Sequence, residues 1–341
     1  MKNTLFILLS FLILSCSNNV EQVKIKYAIN TEIDSLSIRA LEVKNENEIF
    51  FGGSNSTFGY STDGGNSWNI SQVDTLNLEF RSIAVLDSTV LLLNIGSPAK
   101  IYSSNDLGKN WQITVVDTSE TAFYNSIKFW DNKNGIATGD PQKDGVLSIL
   151  MTSDGGITWN KISSDLLPKL DKGEAQFAAS NTCVDAIDGN IWIGTGGKNS
   201  RIIRSKDAGK SWELIELDFV KGEKMTGIYS VDFYDKNNGV IFGGDWNKMD
   251  KSNNNKFYTN DGGDTWINST SEDRVCYRSC VQYTSQKNKL IALGIPGISL
   301  SEDEGETWSN ISEVRDFYTV RIINDSTAIA AGKGKIARII F

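Results

Sequence analysis

Ser61-Thr-Asp63-Gly-Gly65-Asn-Ser-Trp68 decides the architecture, because the chain writes it again and again. It returns as Ser104-Asn-Asp106-Leu-Gly108-Lys-Asn-Trp111, Thr152-Ser-Asp154-Gly-Gly156-Ile-Thr-Trp159 and Ser205-Lys-Asp207-Ala-Gly209-Lys-Ser-Trp212. Two more copies follow, Thr259-Asn-Asp261-Gly-Gly263-Asp-Thr-Trp266 and Ser301-Glu-Asp303-Glu-Gly305-Glu-Thr-Trp308. The common pattern is Ser/Thr-x-Asp-x-Gly-x-x-Trp, usually with Ser or Thr before the Trp. A phrase repeated at this spacing marks a structural array, not a single site.

Each copy reads as a tight turn between two strands. The Asp carboxylate can accept hydrogen bonds from backbone N–H groups a residue or two onward. The Gly two residues later supplies the positive φ that such a turn needs. Trp opens the outgoing strand and can pack its ring over the turn. A calcium loop would crowd several carboxylates into one short segment. Most copies carry one Asp among uncharged polar neighbours, so the phrase is structural and no metal is expected.

The six Asp residues advance by 43, 48, 53, 54 and 42 residues. Propeller blades are four-stranded sheets with repeats of roughly 40–50 residues. Two further strand-like runs precede each turn. In the fifth unit they are Gly227-Ile-Tyr-Ser-Val-Asp-Phe-Tyr234 and Gly239-Val-Ile-Phe-Gly243. After the last copy three strands remain, Phe317 to Ile323, Ala328 to Ala331 and Lys335 to Phe341. They lack an outer fourth strand. Val23-Lys-Ile-Lys-Tyr-Ala-Ile29 alternates apolar and polar residues and can supply it. The expectation is an all-β, seven-bladed propeller of four-stranded antiparallel blades, closed by this N-terminal strand. Such closure removes the sheet edges that invite aggregation. A six-bladed ring with a trailing segment is the alternative count. One ring over residues 23–341 accounts for the domain organisation, although 341 residues could hold two domains by length alone.

The start reads as a targeting segment over residues 1–15. Lys2 precedes a short apolar run, Leu5 to Leu14, too short for a span of about 20 residues. Ile13-Leu14-Ser15-Cys16 resembles a bacterial lipobox, in which Cys16 would carry lipid and residues 16–22 would form a polar tether. An ordinary secretory cleavage nearby is the alternative. The chain has no His, which excludes Ser-His-Asp catalysis and His-held zinc or haem. Cys276 and Cys280 read as residues of one inner strand, roughly 13 Å apart, beyond the ~7 Å reach of a disulfide. With Cys183 they are expected as reduced, buried thiols. A net charge of −8 argues against nucleic acid, which needs a clustered basic surface.

Functional residues are expected on loops of a rigid scaffold, on the face opposite the repeated turns. The extra length of blades three to five lies there: Asp140 to Gly145, Ser163 to Gln176, Asp218 to Thr226 and Asp245 to Asn255. Asp140 and Asp245 follow the Gly that ends a second strand, and Glu174 precedes the inner strand of blade four. Arg39, Arg81 and Arg278 are placed equivalently at the start of inner strands, where Asn125, Tyr229 and Tyr318 stand in other blades. This predicts a funnel with an acidic side and a basic side. The alternatives are turn capping for the Asp residues and channel-sealing ion pairs for the Arg residues. Trp246 is either an anchor for a partner or a lid over its own loop.

The repeats resemble the Asp-box, or BNR, repeat of sialidases, sortilin-type receptors and the photosystem II assembly-factor family, all of them propellers. In those families the boxes lie away from the binding site. Gly139-Asp-Pro with Gly145 and Ile149-Leu150, Phe177-Ala-Ala-Ser-Asn-Thr-Cys183 and Trp192-Ile-Gly-Thr-Gly-Gly197 resemble one bacterial subgroup of assembly-factor-like propellers. The resemblance implies a non-catalytic scaffold that holds a protein or an assembly intermediate. The rival it implies is a sialidase-type hydrolase, with Arg39, Arg81 and Arg278 as carboxylate clamp, Tyr229 and Glu174 as nucleophile pair and Asp140 as acid. Glycan binding without hydrolysis is a third reading. Arg39 is followed by Ala-Leu, so the sialidase Arg-Ile-Pro signature is missing. No cofactor is expected. Gly194-Thr-Gly196-Gly197 lacks the third Gly of a dinucleotide loop. The chain is expected to be a monomer that meets the membrane only through its N-terminal lipid, in the bacterial cell envelope.

Overall fold

The computed structural model describes residues 24–27, 35–271 and 274–341. The leader, Cys16 and the tether over residues 16–22 lie outside them. Seven antiparallel sheets follow one another along the chain and form a seven-bladed propeller. The inner strands are Ile38–Val43, Phe80–Val85, Tyr124–Phe129, Val184–Ile187, Thr226–Phe233, Cys280–Tyr283 and Phe317–Asn324. These define blades 1 to 7. Blade 7 is completed by Lys24–Tyr27, which runs antiparallel to Ile336–Ile340 with Lys24 opposite Ile340 and Tyr27 opposite Ala337. The first strand thus closes the ring, as the alternation in Val23–Ile29 predicts.

The apolar core is divided among the joints between blades. Blades 1 and 2 share Phe50, Phe58, Phe80 and Leu92, for instance, and blades 3 and 4 share Ile136, Ile149, Ile193 and Ile203. Full burial of such a side chain contributes about 1.5–3 kcal/mol. The Trp of each repeated turn packs into the joint with the preceding blade. Trp111 meets Phe58 edge-on at 5.1 Å, and Trp308 meets Phe242 at 5.2 Å. Blade 7 has no such turn. Its joint with blade 6 is filled instead by Ile311, Val314, Ile322 and Phe341.

The six turns share one Ser/Thr–Asp–Gly hydrogen-bond plan, and in four of them the Trp adds a bond, whereas Trp111 Nε1 and Trp266 Nε1 are, among the described residues, buried without a partner. In the third, Thr152 Oγ1 donates to Asp154 Oδ1 at 2.8 Å and accepts from Gly156 N–H at 3.0 Å. Asp154 accepts from Thr158 N–H at 2.9 Å and from Thr158 Oγ1 at 2.6 Å, and Trp159 Nε1 donates to the Gly156 carbonyl at 3.1 Å. The Asp reaches the residue four onward, farther than the one or two expected from sequence. The turn also needs two successive left-handed residues, such as Gly155 at φ 77° and Gly156 at 83°. Leu107, Ala208 and Glu304 hold the first of these positions without being Gly. The hydroxyl and N–H of Ser67 hold the Asp63 carboxyl down at about 2, and Ser211 does the same for Asp207.

One sequence reading of the cysteines is corrected. Cys276 precedes the inner strand, which begins at Cys280, and is only partly buried. The register of blade 6 starts later than its spacing suggested. All three of Cys183, Cys276 and Cys280 are free thiols.

Candidate functional site

The inner strands enter from the face opposite the repeated turns, and five of them begin with a β-bulge. The register slips between Ile38 and Ala40, Phe80 and Ser82, Tyr124 and Ser126, Ile228 and Ser230, and Phe317 and Thr319. The extra residues are Arg39, Arg81, Asn125, Tyr229 and Tyr318. A bulge leaves its extra residue out of the ladder and re-aims its side chain. This local irregularity is what turns equivalent positions toward the centre of the funnel.

Arg278 is not one of them. Val281 N–H donates to Ser230 Oγ, as Ile127 N–H does to Ser82 Oγ, and Tyr283 N–H donates to Asp232 as Phe233 N–H does to Asp185. These bonds make Ser279, not Arg278, the counterpart of Tyr229. The equivalence drawn from sequence is one residue out of register. Arg278 is buried inside blade 6, where its guanidinium donates to Ser299 Oγ, Asn310 Oδ1 and the Tyr277 carbonyl.

The segment Phe177 to Thr182 crosses the centre of the ring. Arg39 Nη1 donates to the Ala179 carbonyl at 2.9 Å, and Arg81 Nη1 to the Ala178 carbonyl at 3.2 Å. Ser180 Oγ donates to the Ser279 carbonyl at 2.6 Å, and Thr319 Oγ1 donates to the Ser180 carbonyl at 3.0 Å. Asn181 donates to the Ile83 carbonyl at 2.8 Å and accepts from Ser126 Oγ at 3.1 Å. Thr182 and Ser230 hydroxyls meet at 2.8 Å. One stretch of chain is therefore bonded to all six other blades. Toward the repeated turns the channel is crossed again by Lys128 with Asp185 at 2.8 Å, Gln282 with Asp232 at 2.7 Å and Arg321 with Glu42 at 3.3 Å. Burial and the charge of Asp185 hold the Asp232 carboxyl well above its usual range. Channel sealing by ion pairs thus falls to Lys128 and Arg321. Their signal was available: one polar or charged side chain at the same register of otherwise apolar inner strands.

Above the crossing segment lies a cavity of about 520 Å³. Arg39, Arg81, Asp140, Glu174, Tyr229 and Trp246 line it, together with Phe123, Phe177 and Met225. Tyr229 stacks on Phe177 at 4.2 Å and meets Tyr277 edge-on at 4.8 Å. The Arg39 guanidinium lies 3.9 Å from the Tyr318 ring centroid and 5.7 Å from that of Trp246. Burial and then repulsion from Arg81 lower its affinity for its proton. Among the described residues Arg39 Nε and the Tyr277 hydroxyl are buried without a hydrogen-bond partner. Trp246 is half-buried and also walls a second, wider notch of about 890 Å³ lined by Lys248, Arg274 and Arg278. That notch is polar, with Arg274 already paired to Asp250 at 3.2 Å.

The expected acidic side is largely spent on structure. Glu174 is fully buried, bonded to Thr195 Oγ1 at 2.6 Å and to Arg201 Nε at 3.1 Å. Asp245 caps the 3-10 turn Trp246–Lys248, accepting from Asn247 N–H at 2.8 Å and Lys248 N–H at 3.2 Å. Asp140 accepts from Asn125 Nδ2 at 2.9 Å and Gln176 N–H at 3.1 Å, while burial pushes its carboxyl up to about 6. Turn capping, one of the alternatives, thus describes Asp245, whereas Asp140 ties a funnel loop to blade 3. The Tyr229 hydroxyl donates to the Met225 carbonyl at 2.9 Å, and burial raises its pKa. Arg201, the partner of Glu174, was missed because it stands in a third strand with no motif of its own. Among the described residues no group of three or more His, Cys, Asp or Glu could hold a metal ion.

No protein-family model matches the chain. No curated protein matches it either. Among solved structures it is similar to YCF48 from Cyanidioschyzon merolae, with a TM-score of 0.66 at 14% identity, over 94% of this chain and 98% of that one. It is also similar to the structure described as YCF48 bound to D1 peptide, with a TM-score of 0.62 at 14% identity, over 90% and 93% of the two chains. The WD40 propeller domain of Doa1 matches with a TM-score of 0.62 at 11% identity, over 93% and 97%. What they share with this chain is the ring.

Proposed function

We propose that this chain is an exported, lipid-anchored propeller of the assembly-factor type, holding a protein partner on its funnel face without catalysis. The observation that carries it is the funnel cavity itself: a preformed, mainly apolar and aromatic hollow with a few polar groups at its floor. Such hollows bind partners by taking in an anchor side chain. The solved likeness to YCF48 bound to D1 peptide supports a peptide or protein ligand. The shared plan of the six turns supports reading them as Asp-box repeats.

The hydrolase reading finds less support. Glu174 is locked to Arg201, the Tyr229 hydroxyl is engaged by Met225, and Arg278 stands outside the cavity that holds Arg39 and Arg81. A three-Arg clamp with a free Tyr–Glu pair is not assembled. Lipidation at Cys16 and a place in the cell envelope rest on the lipobox resemblance.

A photo-crosslinking residue at Trp246 tests the scaffold reading, with one at exposed Lys133 on the opposite face as control. A discrete protein adduct from position 246 and none from 133 is expected. Equal adducts from both positions, or release of sugar from sialosides that Glu174→Gln abolishes, would overturn it.

A further inference from the structure

The strand that closes the ring also sets how the molecule faces whatever its N-terminus is attached to. In blade 7 the third strand, Ile336–Ile340, ends on the face of the repeated turns. Phe341 N–H donates to the Ser326 carbonyl at 2.9 Å in the turn between the first two strands of that blade. Arg338 Nη2 donates at 2.6 Å to the carbonyl of Gly64, in the repeated turn of blade 1. Lys24 pairs with Ile340 and Tyr27 with Ala337, so the chain enters the ring at Lys24 on the turn face and runs toward the funnel. The point at which the ring begins in the chain, Lys24, therefore lies on the turn face.

We infer that the lipid anchor directs the Asp-turn face toward the membrane and presents the funnel cavity to the aqueous side, where a soluble or protruding partner segment reaches it. This rests on the lipid-anchored reading above. The eight residues from Cys16 to Lys24 span about 28 Å when extended and on the order of 15 Å as a coil. Opposite ends of one blade are separated by more than the coil reach, so only a nearly straight tether could bring the funnel face to the bilayer. Strand Gly135–Pro141 alone, 7 residues long, covers roughly 23 Å.

A second observation agrees. The turn face is built of short, nearly identical corners, whereas the long loops at Asp140–Gly145 and Asp245–Asn255 project from the funnel face. The flat side can lie along a bilayer. That side mixes charges, with exposed carboxylates such as Asp63 and Asp207 beside exposed lysines such as Lys109 and Lys206. The acyl group, not surface charge, does the holding.

The experiment places a fluorophore at either end of blade 3, at Lys133→Cys in the turn between its first two strands or Lys143→Cys in a funnel loop, both exposed. The background is Cys276→Ser. The lipidated chain is reconstituted in vesicles whose headgroups carry an energy acceptor. Transfer from position 133 is expected to be several-fold more efficient than from 143. Equal or reversed efficiencies overturn the inference. Loss of vesicle binding in Cys16→Ala is a separate arm that tests lipidation alone. If binding persists there, lipidation fails as a reading. Orientation is then read on a chain whose residues 1–16 are replaced by a hexahistidine tag held on nickel-chelating lipid, with the same two outcomes.

Discussion

The two faces of this propeller are held together in opposite ways. On the turn face the Asp of each corner is satisfied within the corner. Asp303, for example, is bonded to Ser301 and to both the N–H and the hydroxyl of Thr307, 4 residues away. On the funnel face the bonds join residues far apart in the chain. Arg39 reaches Ala179 across 140 positions, and Thr319 reaches Ser180 across 139. A local device tolerates the loss of one copy. A shared central segment does not, because every blade leans on it.

The largest expected effect is at the funnel. Arg201→Ala leaves Glu174 buried and charged without its partner, which costs about 3–5 kcal/mol of stability. A fall in the urea midpoint, together with lost partner capture, checks it, and an unchanged midpoint places Glu174 elsewhere. Next comes Asn181→Ala. It removes bonds to Glu42, Ile83 and Ser126 in three blades and asks Ala to hold φ 64°, for about 2–3 kcal/mol by the same measurement. On the turn face, Asp303→Ala should cost about 1–2 kcal/mol, since the lost bonds are local and partly hydrated. An Asp303→Ala loss that matched Asn181→Ala would erase the contrast between the faces.

The last contrast is in pH dependence, and its sign differs between faces. Asp140 has a raised pKa of about 6 in the fold. The native state then holds a proton that the unfolded chain releases, so stability falls as pH rises from about 4 to about 6. Asp140→Asn should flatten that interval. Asp207 is held at about 2, so its contribution is present above about pH 4 and disappears as pH falls toward 2. Asp207→Asn should destabilise at neutral pH and converge with the parent in acid.

The same contrast explains what could be read from residues alone. The corners were legible because the partners of each Asp lie within eight positions and recur six times. Blade count and closure by the first strand followed from that period. The funnel was legible only in part. Arg39, Arg81, Asp140, Glu174, Tyr229 and Trp246 do meet around one cavity. Arg278 was misplaced because the inner strand of blade 6 pairs without the bulge that marks this position in five other blades. Phe177 to Thr182 gave no sign that it crosses the channel, because its partners are single residues scattered over six blades. Arg201 was invisible for the same reason: a buried ion pair needs one partner in space, not in sequence.

The proposed division of labour between the faces is tested most directly by amide hydrogen exchange on the chain with and without any protein that the crosslinker at position 246 captures. Slowed exchange is expected in the funnel loops around Asp140, Phe177 to Thr182 and Trp246, with the six corners unchanged. Slowed exchange concentrated in the corners around Asp63, Asp154 and Asp261, with the funnel unaltered, would contradict it.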